Sequence, residues 1–275
     1  MVEPRHFRFS LATFNLHAGI DGWGRPFDVV AACRAIDADV LVLQECWSPD
    51  SGPGTAKAVG SALGYDVFEH ELARGRRGGT DPRADHRWIG PFSWFGSSHS
   101  LYLDSERPLS RSVTRRRRFR EAEPGSWGLA VLSRIPVHHE EVIDLGRLGP
   151  DRVRRAALVL GVGSDDRALT VVGTHMAHLT YGSPVHFGKL GRILASTVGT
   201  GPAALAGDMN LWGPPLGVLL PGWRRAVKGR TWPAWRPHSQ LDHILVRGSV
   251  TVASGAVLPA AGSDHRPVRA VLTVP

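Results

Sequence analysis

Asp39-Val-Leu-Val-Leu-Gln-Glu45 has an unbroken apolar centre and stops on two polar side chains. Four apolar residues in a row, Val40–Leu43, predict a central strand covered on both faces, because a half-exposed strand alternates apolar with polar positions. A glutamate at the end of such a strand must be paired or bound to a cation, since burying a lone carboxylate costs several kcal/mol.

Reading outward, Phe7–Asn15 predicts a first strand, and Pro26–Ile36 a helix with Pro26 in its first turn and Asp28 near its positive end. Gly54–Leu63 reads as a second helix closed by Gly64, and Tyr65–Phe68 as a short strand. Further strands are expected near Gly128–Ser133, Arg154–Val162, Leu169–His175, Ala203–Ala206, Leu241–Val246, Thr251–Val257 and Val268–Val274. Ser183-Pro184 opens a helix through Val198, a capping residue followed by a first-turn proline. Strands interleaved with helices indicate an α/β or α+β fold. Between Glu69 and Ser126 the rhythm stops. Gly, Pro, Arg and aromatics (Trp88, Phe92, Trp94, Phe95, Tyr102, then Arg115–Arg118) run on without periodicity, far beyond the roughly 12–15 residues usual for a structureless loop. Arginines interleaved with aromatics suit a nucleic-acid strand; a flap that packs its aromatics on the core explains them equally simply.

The 275-residue chain is 42% hydrophobic and 21% charged, which excludes a disordered or fibrous protein. Two cysteines, Cys33 and Cys46, are too few for a disulfide framework or a cysteine-based zinc site. No apolar run approaches the roughly 18 residues that span a bilayer, and the N-terminus lacks a secretory apolar region, so a cytoplasmic protein is expected. The net charge of +8 favours polyanionic partners. Yet lysine occurs only three times, so the excess is arginine and equally suits a GC-rich coding bias.

Six segments share one feature: an apolar run meets a hydrogen-bonding or ionisable residue where a strand ends or begins. They are Ala-Thr-Phe-Asn15, Val-Leu-Gln-Glu45, Val-Val-Gly-Thr-His175, Ala-Leu-Ala-Gly-Asp208-Met-Asn210, Gln-Leu-Asp242-His243 and Gly-Ser-Asp264-His265. Singly, each has a bland explanation as a turn, a cap or a satisfied core histidine. Together they suggest a site assembled at strand ends, the usual place in layered α/β proteins.

In this order, with Gly128-Leu129-Ala130-Val131-Leu132-Ser133-Arg134 between the second and third segments, the set resembles the endonuclease/exonuclease/phosphatase superfamily. The resemblance runs from Thr13 to Pro267. It implies the DNase I-like fold, an α/β (α+β) four-layer sandwich of two packed mixed β-sheets flanked by helices, with the active site at one end. One domain over 1–275 is expected, carrying the Arg- and aromatic-rich insert at about 69–126.

Attack on an anionic phosphoester needs a cation on the phosphate, a base for the water, and help for the leaving oxygen. Mg²⁺ suits this role, with Mn²⁺ as substitute, because it takes hard oxygen ligands and needs few carboxylates. The resemblance implies Glu45 as first ligand, with Asn15 beside it directly or through water. Asp264 joins the same metal region, and Asp208 with Asn210 forms a second position if two ions bind. It also implies that Asp208 deprotonates the attacking water while Asn210 donates to a phosphoryl oxygen. His265 holds the phosphate with Asp242 on its far nitrogen, and His175 donates from the opposite side. Histidine at 175, where the abasic-site endonuclease branch usually has tyrosine, counts against that activity. His178, His186, His238 and His243 are read as structural or supporting.

The leading expectation is therefore a Mg²⁺- or Mn²⁺-dependent phosphodiesterase or nuclease, with monomer as the default state. A phosphatase or lipid phosphodiesterase is the close alternative, and a non-catalytic polyanion binder a remote one. No His-x₃-His or similar spacing supports a zinc hydrolase.

Overall fold

Two parallel strand pairs, each closed by a crossover helix, organise the protein. In the computed structural model the described residues are 7–22, 24–77, 101–103 (backbone only), 122–149, 151, 153–163, 168–179 and 182–275. The first pair is β1 (Phe7–Asn15) and β2 (Val40–Pro49), joined through α1 (Val29–Ile36). After α2 (Thr55–Leu63) come β3 (Asp66–Arg77), β4 (Leu101–Leu103), β5 (Glu123–Ser133), β6 (Val137–Gly146) and β7 (Arg155–Val162). The second parallel pair is β8 (Leu169–His175) and β9 (Ala203–Asp208), joined through α3 (Ser183–Thr197). The chain ends with α4 (Gly213–Leu219), β10 (Arg224–Arg225), β11 (Asp242–Arg247), β12 (Thr251–Val257) and β13 (Val268–Val274).

One sheet has seven strands in the order β12-β13-β1-β2-β5-β3-β4, and the other six in the order β10-β11-β9-β8-β7-β6. All other strand neighbours are antiparallel, so both sheets are mixed. Three apolar clusters separate four layers. Leu11, Val42, Val131, Leu158, Val171, Ala206 and Ile244 fill the space between the sheets. Leu41, Leu43, Leu132 and Phe14 pack the first sheet on Cys33, Ile36 and Val59 of α1 and α2. Val159, Val172 and Leu205 pack the second on Phe187, Leu190 and Leu216 of α3 and α4. This is the expected four-layer α+β sandwich. With both faces of the central strands covered, their apolar runs need not alternate.

Gly173 marks a close approach of the two sheets. A Cβ there would meet Val131 Cγ2 at 2.6 Å and Val42 Cγ1 at 2.9 Å, so only glycine fits.

The elements agree with the sequence reading where local signals are strong. Asp28 caps α1 by accepting from the Ala31 amide at 2.9 Å, and Gly64 ends α2 in the left-handed conformation. The departures have physical causes. The expected structureless segment from Glu69 to Ser126 is a strand at both ends: β3 extends to Arg77 and β5 begins at Glu123. Leu101–Leu103 adds a short strand on β3. The aromatics Trp88, Phe92, Trp94 and Phe95 and the run Arg115–Arg118 lie outside the described residues. The polar edge strand β6 went unpredicted because only Ile143 and Leu145 of its outer positions are buried. Among the described residues no helix is long and apolar enough to cross a membrane.

Candidate active site

Strand parity alone brings four of the expected residues to one place. Leu11 of β1, Val171 of β8, Ala204 and Ala206 of β9, and Ile244 and Val246 of β11 all point into the space between the sheets. Side chains two residues apart share a face, so Asn15, His175, Asp208 and Asp242 point the same way. The registers align them at one end: His175 lies opposite Asp208, and Asp208 opposite Asp242. Asn15 lies opposite Gln44.

Glu45 breaks this parity. By alternation it would follow Leu41 and Leu43 toward the helices. Instead the β2–β5 pairing shifts between Gln44 and Cys46, and Glu45 takes a left-handed φ of 55°. Such a bulge inserts one residue and re-aims the side chain. The carboxylate thereby reaches Asn15, whose Nδ2 donates to Glu45 Oε1 at 3.1 Å and to Asp208 Oδ2 at 3.0 Å. Gln44, on the expected face, bonds Thr13 below the site.

Asp208 follows Gly207, whose φ of 154° and close packing on the Thr174 carbonyl exclude any side chain. Asp208 Oδ1 accepts the Asn210 amide at 2.8 Å. The left-handed φ of 48° at Asn210 turns its side-chain nitrogen to His175 Nε2 at 3.2 Å and the Met176 carbonyl at 3.0 Å. Asp208 Oδ2 also lies 3.6 Å from His175 Nε2 and 3.8 Å from His265 Nε2. The other ring nitrogen of His265 meets Asp242 Oδ2 at 2.9 Å. Asp264 takes the Trp232 indole N–H at 3.3 Å and stands 3.5 Å from His17 Nδ1.

The electrostatics sort these groups. Burial, and then the neighbouring Asp242 carboxylate, push Asp208 up to about 7, with His265 and the Asn210 amide opposing. Burial works against a charge on His265, but Asp242, Asp264 and Asp208 outweigh it and hold the imidazole well above its usual range. His175 goes the other way, driven well down by burial and then by the Arg155 cation. Burial opposes ionisation of Asp264 too, yet His17, His265 and two donated hydrogen bonds keep it below the usual carboxylate range.

Asn15, Glu45, His175, Asp208 and Asn210 thus form one hydrogen-bonded group, which the Asp242–His265 pair meets at 3.8 Å and Asp264 meets through His17. Four supporting residues were missed, one of them Trp232, the indole donor to Asp264. His17 donates its backbone N–H to Asn15 Oδ1 and links it to Asp264. Thr231 Oγ1 accepts the Leu241 and Asp242 amides and so pins the start of β11. Trp127 lies against both Glu45 and His175. The proximity of His17 to Asn15 in sequence was an available signal; nothing local marks Thr231 or Trp127. His243 is structural as read, with Nε2 between the Leu211 and Gln240 carbonyls and burial driving it down to about 4.

Asp208, Asp242 and His265 offer ligand atoms within 4.8 Å of one another, a spacing that could hold a metal ion. Asp242 Oδ1 is buried without a partner. Asn15 brings the Glu45 carboxylate beside Asp208, and His265 stands between Asp208 and Asp242, so carboxylate oxygens predominate, the donor chemistry that a small hard cation fits; Asp264 is joined to them through His17. Asn15 turns its nitrogen, not its oxygen, toward the carboxylates, the oxygen being taken by His17 N–H.

The model of the Endonuclease/Exonuclease/phosphatase family matches residues 12–265. No curated protein matches the chain. Among solved structures, an endonuclease/exonuclease/phosphatase from Beutenbergia cavernae superposes with a TM-score of 0.61 at 20% identity, covering 97% of this chain and 72% of that one. A truncated TDP2 from Caenorhabditis elegans gives 0.56 at 14% identity, covering 98% of each chain. A mannosyl-6-phosphatase from Bacteroides thetaiotaomicron gives 0.59 at 15% identity, covering 96% and 99%. At these identities the likeness concerns the fold.

Proposed function

The chain belongs to the endonuclease/exonuclease/phosphatase family, and on that premise we propose that it is a divalent-metal-dependent phosphodiesterase or nuclease acting through a site water. The observation that carries the reading is the single Asn15 amide nitrogen that bonds both Glu45 and Asp208, carboxylates delivered by different sheets. Two acids fixed around one amide, beside a paired Asp242–His265, form a site for an anionic ester and a cation.

Glu45, Asp264 and Asp208 would hold Mg²⁺ or Mn²⁺, one or two ions, with Asn15 orienting Glu45 and Asp208 through its nitrogen and Asn210 in contact through water. Bound there, the ion supplies charge neutralisation on the phosphoryl oxygens and acidifies a water. Asp208, held beside the attacking water by Asn15 and the Asn210 amide, would take its proton. The Asn210 amide keeps that carboxylate in one orientation, and the Asn210 side chain, bonded to His175 Nε2 and the Met176 carbonyl, holds the imidazole in place. His265, kept cationic by Asp242, presents Nε2–H to the phosphate. His175, held neutral, presents Nε2 from the other side.

Three features support a nucleic-acid substrate: the charge of +8, an exposed indole on the loop that carries Asn210, and another on a loop bonded to the backbone at Asp264. Trp212 is 50% exposed two residues after Asn210. Trp235 is 37% exposed next to Ala234, whose amide donates to the Asp264 carbonyl at 2.7 Å. We take the working unit as a monomer in a reducing cytoplasm, a setting that the buried, unbridged Cys33 and Cys46 suit.

Purified protein with Mg²⁺, Mn²⁺ or EDTA should be assayed on supercoiled DNA, single-stranded RNA, a bis-aryl phosphate and an aryl monophosphate. Cleavage of a diester that EDTA abolishes supports the reading. Turnover of the monoester alone assigns a phosphatase instead, and no metal-dependent hydrolysis of any substrate refutes an esterase.

A further inference from the structure

We propose that Trp127 is a positioning residue for the candidate cation site: its indole fixes the Glu45 carboxylate and ties it to His175 across the two sheets. The proposal rests on the metal-dependent reading above. Glu45 stands at a bulge on β2, between the neighbouring strands β1 and β5. Each neighbour sends one N–H donor to it. From β1, Asn15 Nδ2 reaches Oε1 at 3.1 Å; from β5, Trp127 Nε1 reaches Oε2 at 3.4 Å. Both oxygens are thus oriented, and each keeps a lone pair for a cation.

The indole is in turn held by the opposite sheet. Its ring centroid lies 5.3 Å from that of His175 on β8, with the planes inclined by 49°. The Arg155 guanidinium of β7 lies 5.7 Å from the ring centroid. Arg155 is itself fixed, its Nε donating to Asp151 Oδ2 at 2.8 Å in a buried pair. Trp127 is only 4% exposed, so it has no freedom to swing away. A glutamate side chain with three free torsions would otherwise have to be ordered each time an ion binds. Groups that bond a metal ligand from outside commonly change affinity by about 10–100-fold when removed.

The test uses the whole chain and Mn²⁺ or Mg²⁺ alone, titrated calorimetrically without substrate. Trp127→Phe keeps an aromatic ring against His175 but removes the N–H. It should weaken cation affinity by about tenfold or more, while the chain still unfolds cooperatively in EDTA, at a midpoint lowered by the smaller buried ring. In a Glu45→Gln background the same substitution should make no further difference. A second measurement spares the indole: with ¹⁵N-labelled tryptophan, the Trp127 Nε1–H resonance should shift on adding Mg²⁺, and the shift should vanish in Glu45→Gln. Undiminished affinity in Trp127→Phe, a penalty that persists in Glu45→Gln, or an unmoved resonance would overturn the proposal. Absence of cation binding by the unaltered chain would overturn the metal-dependent reading itself.

Discussion

Asn15 and Asp208 are separated by 193 positions in the chain, yet Asn15 Nδ2 stands 3.0 Å from Asp208 Oδ2 and joins the two sheets at their open end. Removing that donor takes the shared hydrogen-bond partner from the buried Asp208 and the half-buried Glu45. Asn15→Ala should lower the unfolding free energy in EDTA by about 1–3 kcal/mol, the usual cost of an abandoned buried group. Asn15→Asp adds another acid and should be worse in EDTA. Urea titrations with and without Mn²⁺ check both. The Asn15→Asp deficit should shrink when the cation is present, because a ligand that binds only the folded chain stabilises it.

The raised pKa of Asp208 makes the metal-free protein sensitive to pH. Folded, Asp208 keeps its proton up to about 7, whereas the ordinary value is 3.8. Between those values the folded chain binds the extra proton, so the contribution of Asp208 to stability falls as pH rises, at up to about 1.4 kcal/mol per pH unit, against an opposite contribution from the lowered His175 and His243. His265 acts at higher pH. Its imidazole is raised above 6.5, so the stabilisation it brings is complete below that value and is lost as pH climbs through the raised one. Asp208→Asn should remove that contribution between about pH 4 and 7 and retain a loss above neutrality. Denaturation in EDTA across pH 4–9 measures this. Equal slopes for the two proteins would contradict an Asp208 held protonated by its surroundings.

His265 and Asp242 form a carboxylate–histidine pair at 2.9 Å, which fixes the ring and its charge. Asp208→Ala and His265→Ala should each abolish metal-dependent hydrolysis while circular dichroism stays unchanged. Asp242→Asn leaves the shape but offers an amide to the wrong ring nitrogen. A loss in kcat of about 10²–10⁴ is expected, comparable with triads whose orienting acid is lost. Near-normal turnover by Asp208→Ala or His265→Ala would remove these residues from the chemistry.

The strand ends were legible because period-two burial projects a polar residue onto the face of the apolar residues before it. Ala204, Ala206 and Asp208 show this, as do Ile244 and Asp242. β8, β12 and β13 have the expected bounds, their apolar residues being bracketed by turn signals. What could not be read depends on contacts between strands. The re-aiming of Glu45 arises from a pairing shift with β5, and no local pattern announces it. The indole of Trp127 is set by Arg155 and His175 of the other sheet. The continuation of β3 to Arg77 follows from pairing with β5, against a run of polar residues that reads as loop.

That bulge also carries a measurable cost. At φ 55° Glu45 occupies backbone space that glycine adopts without penalty. Glu45→Ala and Glu45→Gly both delete the carboxylate and should lose cation binding alike. They should differ in stability: glycine relieves the left-handed strain, so Glu45→Gly should match or exceed Glu45→Ala by up to about 1 kcal/mol, against the usual order. Chemical denaturation of the two variants in EDTA decides it. Alanine more stable than glycine would place position 45 in ordinary extended backbone.

Substrate choice is testable at the rim. Trp212 and Trp235 are both exposed, and the Trp235 ring lies so close to Gly22 that a Cβ there would come within 2.4 Å of it. A base stacked on an indole is worth about 1–3 kcal/mol, so Trp212→Ala or Trp235→Ala should each lower kcat/KM on single-stranded DNA by roughly 5–150-fold. On an oligomer of the same phosphodiesters built from tetrahydrofuran units without bases, the loss should stay within about twofold, because only the stacking partner has gone. The dependence of kcat/KM on salt should keep its slope, since neither substitution touches a charge that meets phosphate. Equal losses on both polymers would mean that the indoles shape the site rather than grip bases, and the nucleic-acid assignment would lose its structural support.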